Sequence, residues 1–255
     1  MANSQTELPV QYFRGPDGIE LAYRELGKGR PLVLIHGYVS NAMVNWVRYG
    51  HAAKIAAKGY RVIMPDLRGH GDSAKAHDPA AYAPDILAGD GLALVEHLGL
   101  TDYDLGGYSL GGRTTIRLLA RGARPRRAIV AGMGLEGILH TEGRGGFFRR
   151  VFTNPGSFPR GSIESATEAF LKTVNGDTEA LLLVLDTFVD TPLEALAGMD
   201  MPILVLTGVD DEYNESAEDL ARALPHATHR IVPGNHMSAV TRPELGDAIA
   251  EWLAA

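Results

Sequence analysis

Apolar residues recur along this chain in two rhythms: short runs that suit strands, and longer stretches with helical spacing. Alternation over residues 10–13 and 19–24, on either side of Gly15-Pro16-Asp17-Gly18, predicts an opening β-hairpin. Residues 31–35, Pro-Leu-Val-Leu-Ile, form an unbroken apolar run, the pattern of a strand covered on both faces. A helix is expected within 42–58 and a strand at 60–64. A second helix over about 85–98 turns Ile86, Leu87, Leu94, Val95 and Leu98 inward. Further strands are expected at 103–106, 128–131, 202–206 and 228–232, with helices ending near Arg121 and over 215–224 and 243–253. Strands alternating with helices in this way predict an α/β fold, a mainly parallel sheet with helices on both faces. The alternation breaks between 134 and 197. There, helical patterning at 162–174 and 177–189 and glycine-, proline- and arginine-rich turns over 143–161 predict a helical cap insertion over the strand ends. The core domain is then 1–133 with 198–255, and the cap 134–197.

Composition narrows the classes. The 255 residues are 45% hydrophobic and 22% charged, ordinary for a globular domain. A diffuse net charge of −7 argues against nucleic acid or an anionic membrane as partner. There is no cysteine, which excludes disulfides, thiolate catalysis and Cys-ligated zinc. The first residues show no basic start followed by an apolar run, and no apolar stretch approaches the ~20 residues of a membrane span. A cytoplasmic location is expected, with a small-molecule substrate as partner; the oligomeric state is unreadable.

The candidate chemistry centres on Gly107-Tyr108-Ser109-Leu110-Gly111, between an expected strand and an expected helix. Such a turn is tight enough to strain the serine backbone, and the flanking glycines remove side chains that would collide. The hydroxyl is presented beside a helix N-terminus, whose N–H groups can receive a developing oxyanion. In a chain with 30 glycines the motif alone is weak, so the partners decide.

Two loops at the carboxyl ends of later strands supply them: Thr207-Gly208-Val209-Asp210-Asp211-Glu212 and Pro233-Gly234-Asn235-His236-Met237. An alcohol needs a base to become a nucleophile, and the base needs an acid to fix its tautomer. His236 is the candidate base. His229 falls within a strand and His226 precedes it. Asp211 is the candidate acid, with Asp210 beside it as the alternative and Glu212 a weaker third. The order Ser…Asp…His is that of α/β-hydrolases. Backbone N–H groups of Tyr38, after the buried run, and Leu110 are the candidate oxyanion donors. His36 is expected to be a satisfied buried histidine.

Other features read as structural. His226 and His229 are spaced for two metal bonds without a third ligand, so no metal site is expected. The glycine pairs at 106–107 and 111–112 lack the spacing and the Gly-Lys pair of a phosphate loop. Arg144, Arg149, Arg150 and Arg160 suit a solvated cap face alongside Glu136, Glu142 and Glu164. Phe147, Phe148, Phe152 and Phe158 suit closure over a pocket or packing of the cap onto the core, with nothing to choose between them.

Along nearly its whole length the chain resembles the α/β-hydrolase superfamily. The matching signatures are His36-Gly37 with Trp46, the run from Pro65-Asp66-Leu67-Arg68-Gly69-His70 to Gly71-Asp72-Ser73, the Gly-Tyr-Ser-Leu-Gly-Gly elbow, Gly208-Val209-Asp210-Asp211 and Gly234-Asn235-His236. The resemblance favours Asp211 as acid, three residues after the strand-end glycine, and makes the 66–73 segment structural. It implies a serine hydrolase that uses no cofactor and cleaves a small to medium, largely apolar ester or similar carbonyl through an acyl-enzyme. Serine in place of a nucleophilic aspartate disfavours dehalogenase and epoxide hydrolase chemistry. Tyr108, where relatives commonly carry histidine or tryptophan, leaves the subfamily open, and a His-Gly-Gly-Gly oxyanion run is missing. Alternatives on the same residues are a C–C bond hydrolase, a cofactor-free perhydrolase or haloperoxidase, and a ligand receptor on a hydrolase scaffold.

Overall fold

The computed structural model describes residues 8–141, 143 and 145–255. One sheet of eight strands runs in the order β1-β2-β4-β3-β5-β6-β7-β8. The strands are β1 (Gln11–Arg14), β2 (Glu20–Gly27), β3 (Arg30–Ile35), β4 (Tyr60–Pro65), β5 (Asp104–Tyr108), β6 (Ala128–Ala131), β7 (Ile203–Gly208) and β8 (Ala227–Val232). β1 pairs antiparallel with β2, and β2 with β4; every later pairing is parallel. This is the expected α/β architecture.

Helices cover both faces. They are α1 (His51–Ala56), α2 (Ile86–His97), α3 (Leu110–Ala120), α4 (Leu135–Leu139), α5 (Gly146–Thr153), α6 (Ile163–Thr173), α7 (Thr178–Leu185), α8 (Leu193–Leu196), α9 (Ala217–Ala223), α10 (His236–Ala239) and α11 (Pro243–Ala254). Successive strand side chains point to opposite faces, so Val33 and Ile35 join the core under α2 and α3, while Leu32 and Leu34 join the core under α1 and α11. In β7, Ile203 and Val205 fall on the first side and Leu204 and Leu206 on the second. That is why the central strands read as unbroken apolar runs.

Two stretches differ from expectation. The single helix expected within 42–58 is split into a π-helical turn, Met43–Val47, and α1. Gly50 between them is left-handed, with φ of 80°, and stops the first segment. The segment expected as turns over 143–161 contains α5, whose Val151 and Phe152 are buried. α4 to α8 lie between β6 and β7, and a third apolar cluster joins Val151, Phe152, Leu171 and Leu181 to Val39 of the loop after β3. Among the described residues no helix is long and apolar enough to cross a membrane.

Register sets the site. Ile35 lies opposite Gly107, Tyr108 opposite Ala131, Ala131 opposite Leu206, and Gly208 opposite Val232. The parallel strands therefore end level with one another. The residues that follow, His36 to Tyr38, Ser109, Gly134, Asp211 and His236, share one end of the sheet.

Candidate active site

Ser109 sits between β5 and α3 at φ 56° and ψ −112°, a conformation that costs a non-glycine residue of order 1–3 kcal/mol. The surroundings hold it there. A side chain at Gly107 would place its Cβ 2.3 Å from the Gly111 carbonyl carbon, and one at Gly111 would lie 2.1 Å from the Ile35 carbonyl oxygen. Strand and helix approach too closely for anything but hydrogen at either position. Ser109 N–H donates to Ala131 O at 2.8 Å, which locks the bend onto the next strand.

The acid and base loops meet by a second close approach. A Cβ on Gly208 would lie 2.2 Å from Gly234 O, and Asp210 N–H donates to that same carbonyl at 3.0 Å. His236 opens the short helix α10, whose start is fixed by Asn235: its Oδ1 accepts from the N–H groups of Met237 and Ser238, and Ser238 Oγ accepts from Asn235 N–H. These contacts bring three of the expected residues together. His236 Nε2 is 2.9 Å from Ser109 Oγ, and Asp211 Oδ2 is 3.0 Å from His236 Nδ1. The Asp211 side chain is fully buried, whereas Asp210 is exposed. Glu212 is exposed as well.

The loop after β3 lies against the nucleophile, with a Cβ on Gly37 falling 3.4 Å from Ser109 Cβ. Gly37 N–H donates to Asn45 Oδ1 at 3.0 Å, and Val39, at φ 59°, donates its N–H to His70 Nε2 at 3.2 Å. Tyr38 N–H lies between those two anchored amides, and Leu110 N–H is the first of α3, where no intrahelical acceptor exists. Leu110 directly follows Ser109 and Tyr38 directly follows Gly37, so both expected donors lie on segments next to the serine.

His36 is the buried, satisfied histidine expected from the sequence. Its Nε2 accepts from Leu67 N–H at 2.9 Å, so Nδ1 carries the hydrogen and donates to Gly37 O at 2.8 Å. His70 is built alike: Nε2 accepts from Val39 N–H, and Nδ1–H donates to Arg68 O at 2.9 Å. Burial holds the pKa of His36 down to about 4 and that of His70 down to about 3. Both rings are neutral braces. The 66–73 segment is structural throughout: Asp66 accepts from Ala42 N–H, Asp72 N–H and Arg24, and Arg68 is buried against Asp90 and Asp17.

Two residues of the site carried no signal in the sequence. The Tyr108 hydroxyl donates to His236 O at 2.6 Å, propping the base loop from the strand side. Asn214, in the turn after Asp211, donates from Nδ2 to Asp211 Oδ2 at 2.9 Å. In the helices inserted between β6 and β7, Phe148 packs edge-on to Tyr38, centroids 4.7 Å apart, with Phe152 at 6.4 Å, so these phenylalanines dock α5 onto the loop after β3. Arg149 pairs with Asp186 at 2.6 Å, both exposed, and exposed Arg150 pairs with the half-buried Glu164 at 2.9 Å. Arg144 and Glu142 lie outside the described residues. His229 Nε2 is 3.0 Å from Thr207 Oγ1, within the sheet and away from Ser109.

A sequence model described as "Alpha/beta hydrolase family" matches residues 32–246, from within β3 to the first turn of α11. The chain belongs to the alpha/beta hydrolase family. The chain is 29% identical to a non-heme haloperoxidase of Rhodococcus erythropolis, over 88% of this chain and 92% of that one. Among solved structures it is similar to a thermophilic esterase from Thermogutta terrifontis, 25% identical with TM-score 0.75, covering 96% of this chain and 98% of that one. An esterase from a Rhodococcus species superposes equally well, 25% identical with TM-score 0.74 and the same coverage.

Proposed function

We propose that this alpha/beta hydrolase is a carboxylesterase-like serine hydrolase acting on small to medium, largely apolar esters, and that Ser109, His236 and Asp211 are its catalytic triad. The unbroken run of hydrogen bonds from Ser109 Oγ through the His236 ring to Asp211 Oδ2 carries this reading. Ser109 attacks the ester carbonyl as His236 Nε2 takes its proton. The Asp211 carboxylate accepts from Nδ1–H and stabilises the imidazolium that forms. Tyr38 and Leu110 N–H groups receive the oxyanion. His236 returns the proton to the departing alcohol, and water, activated by the same ring, releases the acid. No step requires a metal or cofactor.

The substrate class follows from the apolar surroundings of the loop that flanks Ser109, where Tyr38, Phe148 and Phe152 pack against one another. Arg149 and Arg150 pair with acids, which weighs against these two in the carboxylate-binding role that a C–C bond hydrolase would ask of them. A second acyl acceptor, hydrogen peroxide, is favoured by the likeness to a non-heme haloperoxidase. In that branch the acyl-enzyme on Ser109 is attacked by peroxide in place of water, giving a peracid.

Hydrolysis of p-nitrophenyl esters of graded chain length tests the proposal. Turnover is expected, with loss of several powers of ten in Ser109→Ala. Parent-level activity in Ser109→Ala would refute it. Acetate with peroxide and a halogenation dye reads the peracid branch separately.

A further inference from the structure

We infer that Asn214 is a positioning residue for the triad acid, holding the Asp211 carboxylate so that Oδ2 faces the ring; this rests on the triad reading above. The amide has one orientation. Its Oδ1 accepts Gly134 N–H at 3.0 Å, so Nδ2 must point the other way, to Asp211 Oδ2 at 2.9 Å. The same Nδ2 stands 3.1 Å from His236 Nδ1. A donor facing a ring nitrogen favours neither atom as partner, so both the ring N–H and the amide N–H turn to the carboxylate oxygen, the charged acceptor.

Asp211 depends on this contact. Its other oxygen, Oδ1, is buried and takes no hydrogen bond among the described residues. The carboxylate is therefore fastened through Oδ2 alone, by His236 and Asn214. When His236 moves or changes protonation during turnover, Asn214 is the fixed partner that remains. The residue is itself anchored by its backbone, since Asn214 N–H donates to Asp211 O at 3.0 Å, and Gly134, which holds the side-chain oxygen, belongs to the loop leaving β6. Asn214 is also buried, so water does not replace it readily.

Residue chemistry at this position is restricted. Alanine removes the second donor. Aspartate keeps the acceptor for Gly134 N–H but sets a carboxylate against Asp211 Oδ2, where two anions oppose each other. Yet aspartate at position 214 would lie as near to His236 Nδ1 as Asp211 does, 3.1 Å against 3.0 Å. Exchanging the two side chains therefore preserves the whole set of donors and acceptors. The carboxylate, moved to position 214, would accept from Gly134 N–H and His236 Nδ1–H. The amide, moved to position 211, would supply the donor.

The test is ester hydrolysis by Asn214→Ala, Asp211→Asn and the exchange variant Asp211→Asn with Asn214→Asp, with fluorophosphonate labelling of parent Ser109 measured alongside. Asn214→Ala is expected to lower kcat ten- to hundredfold, about the effect of one hydrogen bond to a charged group, with KM changed less than about twofold. Asp211→Asn is expected to lose about 10⁴-fold by presenting the wrong tautomer, and the exchange variant to recover at least about a hundredfold of it. A parent-like kcat in Asn214→Ala, or an exchange variant no faster than Asp211→Asn, overturns the inference while a labelled parent Ser109 leaves the triad intact. A parent whose Ser109 takes no label fails at the triad instead. The exchange variant keeps the result readable if Asn214→Ala folds poorly.

Discussion

The Tyr38 hydroxyl donates to the Leu181 carbonyl at 2.6 Å, tying the loop beside the nucleophile to α7 of the insertion between β6 and β7. The same side chain meets Phe148 and Phe152 by its ring, and its backbone N–H is the proposed oxyanion donor. One residue thus joins the proposed oxyanion donor to the attachment of the inserted helices. Tyr38→Phe keeps the ring and the N–H but removes the bond to the Leu181 carbonyl. The expected loss is about 1 kcal/mol, or a melting temperature lower by about 2–4 °C for a chain of this size. Ester turnover should stay within about tenfold of the parent. Calorimetry alongside a rate assay checks both; an unchanged melting point would mean the bond contributes nothing.

The elbow glycines give a sharper contrast. At Gly111 a methyl group would sit 2.1 Å from Ile35 O and 2.8 Å from His36 O, backbone atoms that cannot move aside without breaking β3. Gly111→Ala is expected to abolish the folded state or displace Ser109 enough to remove activity. At Gly146, in the first turn of α5, a methyl group meets nothing within 4 Å. Gly146→Ala is expected to be neutral or to stabilise by up to about 1 kcal/mol, since alanine orders a helix more readily. Circular dichroism melts of the two variants separate these outcomes.

Stability should fall on mild acidification. His36 and His70 are neutral and buried in the fold, with pKa values held to about 4 and about 3, while the unfolded chain protonates them near 6.5. Between those limits the unfolded state binds more protons, so stability is full above about 6.5 and drains as pH drops toward 4. The slope is up to about 1.4 kcal/mol per pH unit for each ring. His70→Gln, which retains an acceptor for Val39 N–H, should show a shallower slope. Urea midpoints at pH 7, 6 and 5 provide the measurement, and equal slopes in the two proteins would contradict it.

Much of this was legible in the chain because it depends on local spacing. The strand-end positions of Ser109, Asp211 and His236 follow from apolar runs that stop just before them, and parallel register does the rest. The close approaches that need Gly107 and Gly111 are written in the turn itself. What escaped is what tertiary packing decides. α5 begins Gly146-Phe147-Phe148-Arg149-Arg150, after a glycine-rich approach that reads as turn. Its helix forms because Phe148 and Phe152 dock on Tyr38, a residue more than a hundred positions earlier. Asn214 gave no signal, as the Gly134 N–H that orients its amide is 80 positions away. Tyr108 gave none either, since its partner is a backbone carbonyl 128 positions on. His70 sat in a segment assigned only a structural part, and its hold on Val39 appears once the loop is folded.

The central claim is that His236 makes Ser109 a nucleophile. Its most direct test is the rate at which a fluorophosphonate forms an adduct, located by peptide mass, in the parent and in His236→Ala. The account predicts one stoichiometric adduct on Ser109 in the parent and a rate lower by several powers of ten without the imidazole. An adduct on another residue, or equal rates in both proteins, would contradict it.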